Sequence, residues 1–382
     1  MSNEATLTTL HKSTNWFKAT GTVSEMYSLV QGKNGKFDRK PMQIEKSTRD
    51  EYVDGKKTGN KISCEKIFGG VVLKSKNGTY DFQVSFSSKN ADGSENKKWP
   101  MALKMLEWNP AIDGNPNEPV SYVTMSGSIS TFDSYSEKKQ EVYTNMRWNA
   151  SAKCEHAEAK DKNGNDTSGC SLHIVGLLKS KVWEPDKNDP DDNTGRMLVK
   201  IMMGDGKGEC FPVDFVVDEE IAEDFNDAFE IGETIDCNLE YFVTTVGGQK
   251  KKSGRGVGKA NATSQELSST YEHKELLLIS ADPVDEPDEL TIEDENGNEI
   301  EIKTQWINPK TMKAAMKIRE QKLAELKANG GRKPKSVADA LEMSKKASGI
   351  KKGVKATQDF EDFEDDINDD ALPFDLDDDP DF

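Results

Sequence analysis

From Trp16 onward apolar and polar residues alternate. Phe17, Ala19, Gly21 and Val23 interleave with Lys18, Thr20 and Thr22, the period of a strand with one buried face. Gln31 to Lys61 breaks the pattern with nine basic and five acidic residues, and is too rich in Gly and Lys for a core. It predicts a long loop or ragged hairpin. Ile62 to Lys74 reads as a second strand, bulged or sharply bent at Gly69 and Gly70. Asn77 and Gly78 predict a hairpin turn into a third strand, with Tyr80, Phe82, Val84 and Phe86 on one face. Pro100 to Trp108 reads as a short helix. Two further strands follow, with Val123, Met125, Gly127 and Ile129, then Val142, Thr144, Met146 and Trp148, on their buried faces.

Five strands, bent near glycines and interrupted by one helix, describe an OB-type barrel over 14–150; a generic β-sandwich satisfies the same pattern. A second unit over 151–285 repeats the plan. Its strands are Leu172 to Trp183, Met197 to Met203, Phe211 to Val217, Ile235 to Val243 and Leu276 to Ile279. Asp218 to Phe229 has helical spacing (Ile221, Phe225, Phe229) and acids in its first turn, which suit the helix dipole. A helix between the third and fourth strands is the OB order. Residues 286–330 predict a small hairpin, then a basic helix started by Asn308 and Pro309 and closed by Gly330. Residues 331–358 form a basic flexible linker, and 359–382 a disordered acidic tail. The expected fold class is therefore mainly β: tandem OB-like barrels, a C-terminal helix and an unfolded acidic end.

Charge refines this picture. The chain carries a formal −18, with 34% hydrophobic and 31% charged residues. Asp359 to Phe382 holds thirteen Asp or Glu and no Lys or Arg, whereas Lys310 to Thr357 holds fourteen Lys or Arg against four acids. The body before Lys310 is acidic too, so contact with a polyanion must come from local basic patches. Five widely spaced Cys, an odd count, fit reduced thiols better than a disulfide framework. No apolar run is long enough to span a bilayer, and the N-terminus lacks the features of a signal peptide. These points imply no membrane partner and a cytoplasmic location, the host cytoplasm for a viral protein.

No catalytic constellation emerges, and a non-enzyme is expected. The Gly-rich run Gly247 to Lys259 fails as a phosphate loop, because Ala260 follows Lys259 and Ser253 stands where the first Gly belongs. As the loop between the fourth and fifth strands of the second unit, it instead offers Lys250, Lys251, Lys252, Arg255 and Lys259, without an acid among them, beside an OB groove. Stacking platforms for single strands are expected on polar strand faces: Tyr122, Tyr143 with Arg147, and Lys179, Lys181 and Trp183 on one face. Cys154, His156, Cys170 and His173 fall within twenty residues and could close a structural zinc site, although their spacing matches no standard finger.

The tail has four Phe among its carboxylates (Phe360, Phe363, Phe374, Phe382) and ends Asp379, Pro380, Asp381, Phe382. It cannot fold alone, since like charges repel and little apolar surface offsets ordering entropy. A polyanion ending on an aromatic beside the terminal carboxylate suits a basic pocket with an apolar floor. Together with OB-like units and a basic connector, this resembles phage-type replicative single-stranded-DNA-binding proteins, whose tails end in acid and a terminal Phe. The resemblance implies sequence-nonspecific binding of single-stranded DNA in replication and recombination. It also implies a tail that competes with DNA and recruits polymerase, primase–helicase or recombinase through Phe374, Asp379, Asp381 and Phe382. The residues also allow an RNA-binding or transcription-associated OB protein, or a scaffolding protein with a solubility tail.

Overall fold

The computed structural model describes residues 10–31, 37–53, 56–186, 189, 192–206, 208–246, 271–287, 291–293, 299–301 and 304–330. The chain is mainly β. Its elements are β1 (Asn15–Gln31), β2 (Phe37–Pro41), β3 (Glu45–Val53), β4 (Lys56–Ser75), β5 (Gly78–Ser87), α1 (Trp99–Met105), β6 (Tyr122–Ser136), β7 (Glu141–His156), β8 (Gly169–Pro185), β9 (Asn193–Gly204), β10 (Cys210–Val217), α2 (Glu219–Ala228), β11 (Thr234–Val246), β12 (Tyr271–Pro283), β13 (Thr291–Glu293), β14 (Glu299–Glu301) and α3 (Pro309–Ala328).

Strand pairing runs in two closed circuits. The first is β1–β4–β5–β7–β6 and back to β1, with β5 and β7 parallel where Gln83 meets Asn149. The second is β8–β9–β10–β12–β11 and back to β8, with β10 and β12 parallel where Val216 meets Leu277. Each circuit places one helix, α1 or α2, between its third and fourth strands. Alternation explains the interior: Phe17, Ala19 and Val23 of β1, Tyr80, Phe82, Val84 and Phe86 of β5, and Leu172, Ile174 and Leu178 of β8 are all buried.

The circuits share a ladder. β1 and β8 pair antiparallel from Asn15–Ile174 to Thr20–Gly169. Phe17 and Leu172 face each other in it and hold equivalent places, one opposite Gly127 of β6 and the other opposite Leu239 of β11. A pseudo-two-fold axis therefore passes between them. The repeat extends to detail, because β1 skips register at Ser24 and β8 at Lys179. It also places Gly21 and Gly176 where each first strand leaves the shared ladder. A Cβ there would lie 2.6 Å from the Lys74 carbonyl oxygen and 2.7 Å from Ile201 Cδ1, respectively. At Gly21 the close neighbour is backbone, so only a residue without a side chain lets the strands cross there, whereas at Gly176 a side chain would have to displace Ile201.

Aromatic packing continues across the junction. Phe17 stacks on Phe82 at 5.1 Å, Trp148 meets Phe17 edge-on at 5.2 Å, and Tyr241 of the second circuit stacks on Trp148 at 4.8 Å. The Tyr80 hydroxyl donates to the Tyr241 carbonyl at 2.7 Å. Such ring pairs contribute about 0.5–1.5 kcal/mol each beyond area burial. α3 locks the arrangement from outside. Asn308 accepts from the Lys310 N–H, Pro309 opens the first turn, and Met312 and Ala315 pack on Leu10, Leu177, Met202 and Cys210. Arg319 then donates to Asp133 at 2.7 Å and Thr144 at 2.9 Å in the first circuit, and to the Cys210 carbonyl at 3.4 Å in the second.

Of the two alternatives for Gln31 to Lys61 the structure has the ragged hairpin: the stretch contains β2, β3 and the start of β4, and β3 pairs antiparallel with β4 across a register shift between Asp50 and Tyr52. One expectation needs correction. Thr144 is exposed and Val142 half-buried, because β6 and β7 run on past their circuit as a two-stranded ribbon. Replacing Arg319 with Ala should lower stability by about 1–3 kcal/mol in urea titrations, since it strips partners from two circuits at once, and Arg319→Lys should recover little without the guanidinium fork. An unchanged midpoint in Arg319→Ala would show that α3 is not a clamp.

Candidate nucleic-acid interface

The β6–β7 ribbon has two chemically distinct faces. Positions Asp133 and Thr144 continue the circuit interior and are bound by Arg319. The opposite face carries Phe132, Tyr143, Asn145 and Arg147, in the register Ser134–Tyr143, Phe132–Asn145 and Ser130–Arg147. The Arg147 guanidinium lies 4.0 Å above the Phe132 ring, and Lys139 sits 5.5 Å from the Tyr143 ring. The Tyr143 hydroxyl donates to Glu141 at 3.0 Å, and this bond raises its pKa, keeping the phenol neutral. Tyr143 and Arg147 are thus brought together as the sequence predicts. Phe132 and Lys139 were missed. The alternation of Ser128, Ser130, Phe132 and Ser134 contained the signal for Phe132, which reads as one apolar residue among hydroxyls.

The same outward face continues onto the shared ladder. Asn15 pairs its amide both ways with the Ile129 backbone, donating at 2.6 Å and accepting at 2.9 Å, so the ribbon is joined firmly to β1. One residue on, Trp16 is 48% exposed and leans edge-on against His173 at 5.5 Å. Continuing the Phe17–Gly127 register by one residue places Trp16 beside Ser128, about 13 Å along β6 from Phe132 by strand rise. Paired residues share a face, and the pseudo-two-fold relates outward positions to outward positions. The axis is therefore normal to the ladder, and the β11–β12 hairpin presents its outer face on the same side. Lys250, Lys251, Lys252, Arg255 and Lys259 fall in the connection of that hairpin, beyond the pair Val246–Tyr271, and lie outside the described residues. Phe374, Asp379, Asp381 and Phe382 lie outside them too.

Other predicted residues are placed elsewhere. Tyr122 is outward but at the opposite end of β6, about 40 Å from the Tyr143 pair by strand rise, with its hydroxyl 3.1 Å from that of Thr167. Lys179, Lys181 and Trp183 do not share a face. The bulge at Lys179 shifts the alternation by one, so Lys179 is exposed while Lys181 and Trp183 turn inward. Lys181 donates to the carbonyls of Asn226 and of Phe229 (the latter at 2.7 Å), closing the C-terminal end of α2, and Trp183 packs on the core. Both are structural.

The zinc candidates do not converge. Cys154 and Cys170 lie on one cross-strand row, but Met125 of β6 and Ala19 of β1 stand between them. His173 bonds Asp236 at 2.6 Å on the outer face, and His156 packs edge-on against Trp108. Among the described residues no group of three or more His, Cys, Asp or Glu could hold a metal ion. All five thiols are free and buried. Burial pushes Cys154 up to about 12 and Cys210 up to about 11, and raises Cys170 and Cys237 as well. At pH 8 these four thiols should resist a thiol-specific chromogenic reagent in the folded protein and react promptly in denaturant. Fast native reaction of more than one thiol would contradict this packing.

Two cavities flank the junction. One of about 390 Å³ is lined by Lys18, Thr20, Thr124, Thr167, Ser171 and Glu240. The other, about 670 Å³, lies between Asp81, Trp148 and Arg39 on one side and Asp214, Tyr241 and Glu275 on the other. Among the described residues no helix is long and apolar enough to cross a membrane.

No curated protein matches the chain. Among solved structures, it is similar to the wild-type single-stranded DNA binding protein from Thermus aquaticus, at 9% identity over 72% of this chain and 95% of that one, with a TM-score of 0.33. A deletion mutant of the same Thermus aquaticus protein is similar at 10% identity over 73% of this chain and 98% of that one, again with a TM-score of 0.33. Residues 37–327 match the YorF family, from the second strand to the end of the last helix. By that match the chain belongs to the YorF family.

Proposed function

We propose that the chain binds single-stranded DNA without sequence preference, that each pairing circuit is an OB-type barrel, and that the protein is a binder and not an enzyme. The observation that carries this is the outward ribbon surface of Phe132, Tyr143 and Arg147, continued by Trp16 on the shared ladder. Single strands need flat rings for bases and cations for phosphates, and both are held here on rigid strands. The OB reading is supported by connectivity: five strands closed on themselves, with a helix between the third and fourth. In the second circuit, the counterpart of the ribbon is the hairpin whose connection holds Lys250, Lys251, Lys252, Arg255 and Lys259. A run of cations together with rings held on strands suits a phosphate backbone that must be followed without sequence readout.

In this reading the acidic terminus acts as a tethered polyanion. It competes with DNA for the cationic surface and, once displaced, offers Phe374 and Phe382 to proteins of replication or recombination, in the manner of a phage-type replicative protein. Deleting Asp359 to Phe382 should raise affinity for single strands, most at low salt. Unchanged low-salt affinity would leave the tail a tether for partners.

Anisotropy of labelled oligo-dT is the direct test. Tyr143→Ala and Phe132→Ala should each weaken binding by about 1–3 kcal/mol without changing the salt slope. Changing Lys250, Lys251 and Lys252 together to Ala should flatten the slope of log K against log salt by up to about 2 units. Wild-type affinity in both ring variants would remove the ribbon from the site, and tighter binding to a matched RNA oligomer would move the reading to RNA.

A further inference from the structure

The first circuit covers its own outer edge. Beyond the end of β6, β2 pairs with β1 from Tyr27–Pro41 to Gln31–Phe37. It lays Phe37 against Phe68 at 6.5 Å and sets the Arg39 guanidinium 4.0 Å over the Tyr27 ring, 2.9 Å from Asp81. Tyr27, Leu29, Phe68 and Val72 are buried beneath it.

The second circuit has the same edge without the cover. Counting from the bulges at Ser24 and Lys179, Tyr27 corresponds to Val182, and Gly70 to Leu198. One strand further on, Asp81 opposite Val72 corresponds to Asp214 opposite Lys200. β11 leaves the β8 edge at Leu177–Thr234, and among the described residues no strand pairs with that edge from Ser180 to Glu184. Val182 is 59% and Leu198 41% exposed there. The Asp214 side chain, 68% exposed, pairs with Lys200 at 3.3 Å. Natural edges are usually guarded by Lys or Pro. Here Lys181 is turned away to α2, and a Pro guard stands only at Pro185, the place that Val30 holds in β1.

We propose that this β8 edge takes an extended, arginine-bearing segment of a partner polypeptide by strand addition. β2 is the template for the occupant. Its backbone fills the equivalent edge, and its Arg39 reaches the carboxylate equivalent to Asp214. An incoming arginine would meet Asp214 with a two-pronged fork and displace Lys200 from an exposed pair that stabilises little. Leu198 fills the hollow that Gly70 leaves for the Tyr27 ring, so the floor is aliphatic and suits an apolar side chain. Nucleic acid fits it poorly, because the floor lacks a ring to stack on and its anchor is a carboxylate.

The test uses the full-length protein and a fluorescent synthetic peptide spanning Lys36 to Gln43 of this chain. Saturable binding is expected, with slowed amide hydrogen exchange over Val182 to Asp186, the stretch equivalent to the one that β2 covers. Val182→Lys and Asp214→Asn in the protein, and Arg39→Ala in the peptide, should each weaken it about tenfold. Circular dichroism of the two exposed-site variants checks that they remain folded. No saturable binding, or binding that survives Val182→Lys, overturns the proposal. So does a protein dimer in sedimentation that Val182→Lys abolishes, since the occupant would then be a second copy.

Discussion

The rest of the structure depends on the antiparallel ladder between β1 and β8. Each first strand has a stretch paired on both edges, to its own circuit and to the other: Phe17 to Thr20 in β1 and Ser171 to Ile174 in β8. Backbone bonds satisfied on both sides are hard to open, because each broken pair would leave buried donors and acceptors without water. The circuits are thereby oriented by main-chain geometry and do not hang from a linker. The Trp148–Tyr241 stack and the Arg319 contacts reinforce a placement that the ladder already defines.

That constraint gives the molecule a front. Because the pseudo-two-fold axis is normal to the ladder, the elements flanking the outward face come in related pairs, and the β6–β7 and β11–β12 hairpins project at its two ends. The ribbon's inner face is held by α3, so its outer rings are displayed on a backed support. Rigid backing limits the ordering entropy that a ligand must offset. The chain's overall acidity does not oppose the proposed binding, since the charges that would matter are those within a Debye length of a bound group.

The duplication also shows where the two circuits have diverged. At the outer edge the first has Tyr27, Gly70, Asp81 and an inserted strand, and the second has Val182, Leu198, Asp214 and a short connection. The same backbone thus supports a closed edge in one half and an open one in the other. Likewise, the hairpin that carries fixed rings in the first circuit carries the basic Gly-rich run in the second.

Much of this was legible in the sequence. Alternation at Phe17 to Val23 and at Tyr80 to Phe86 determined strands with one buried face, and Ile221, Phe225 and Phe229 determined α2, because local period is set by where neighbouring Cβ atoms point. Asn308 and Pro309 located the start of α3. That Tyr143 and Arg147 share a face was legible because a strand's faces can be counted within one uninterrupted run. Lys181 and Trp183 were misplaced for the same reason, since the Lys179 bulge resets the count and depends on pairing with β9. The separation of Cys154 from Cys170, the closure of the circuits, the shared ladder and the open β8 edge were decided only by tertiary structure. Each is a relation between strands distant in the chain, and side-chain period carries no information about which strand lies alongside which.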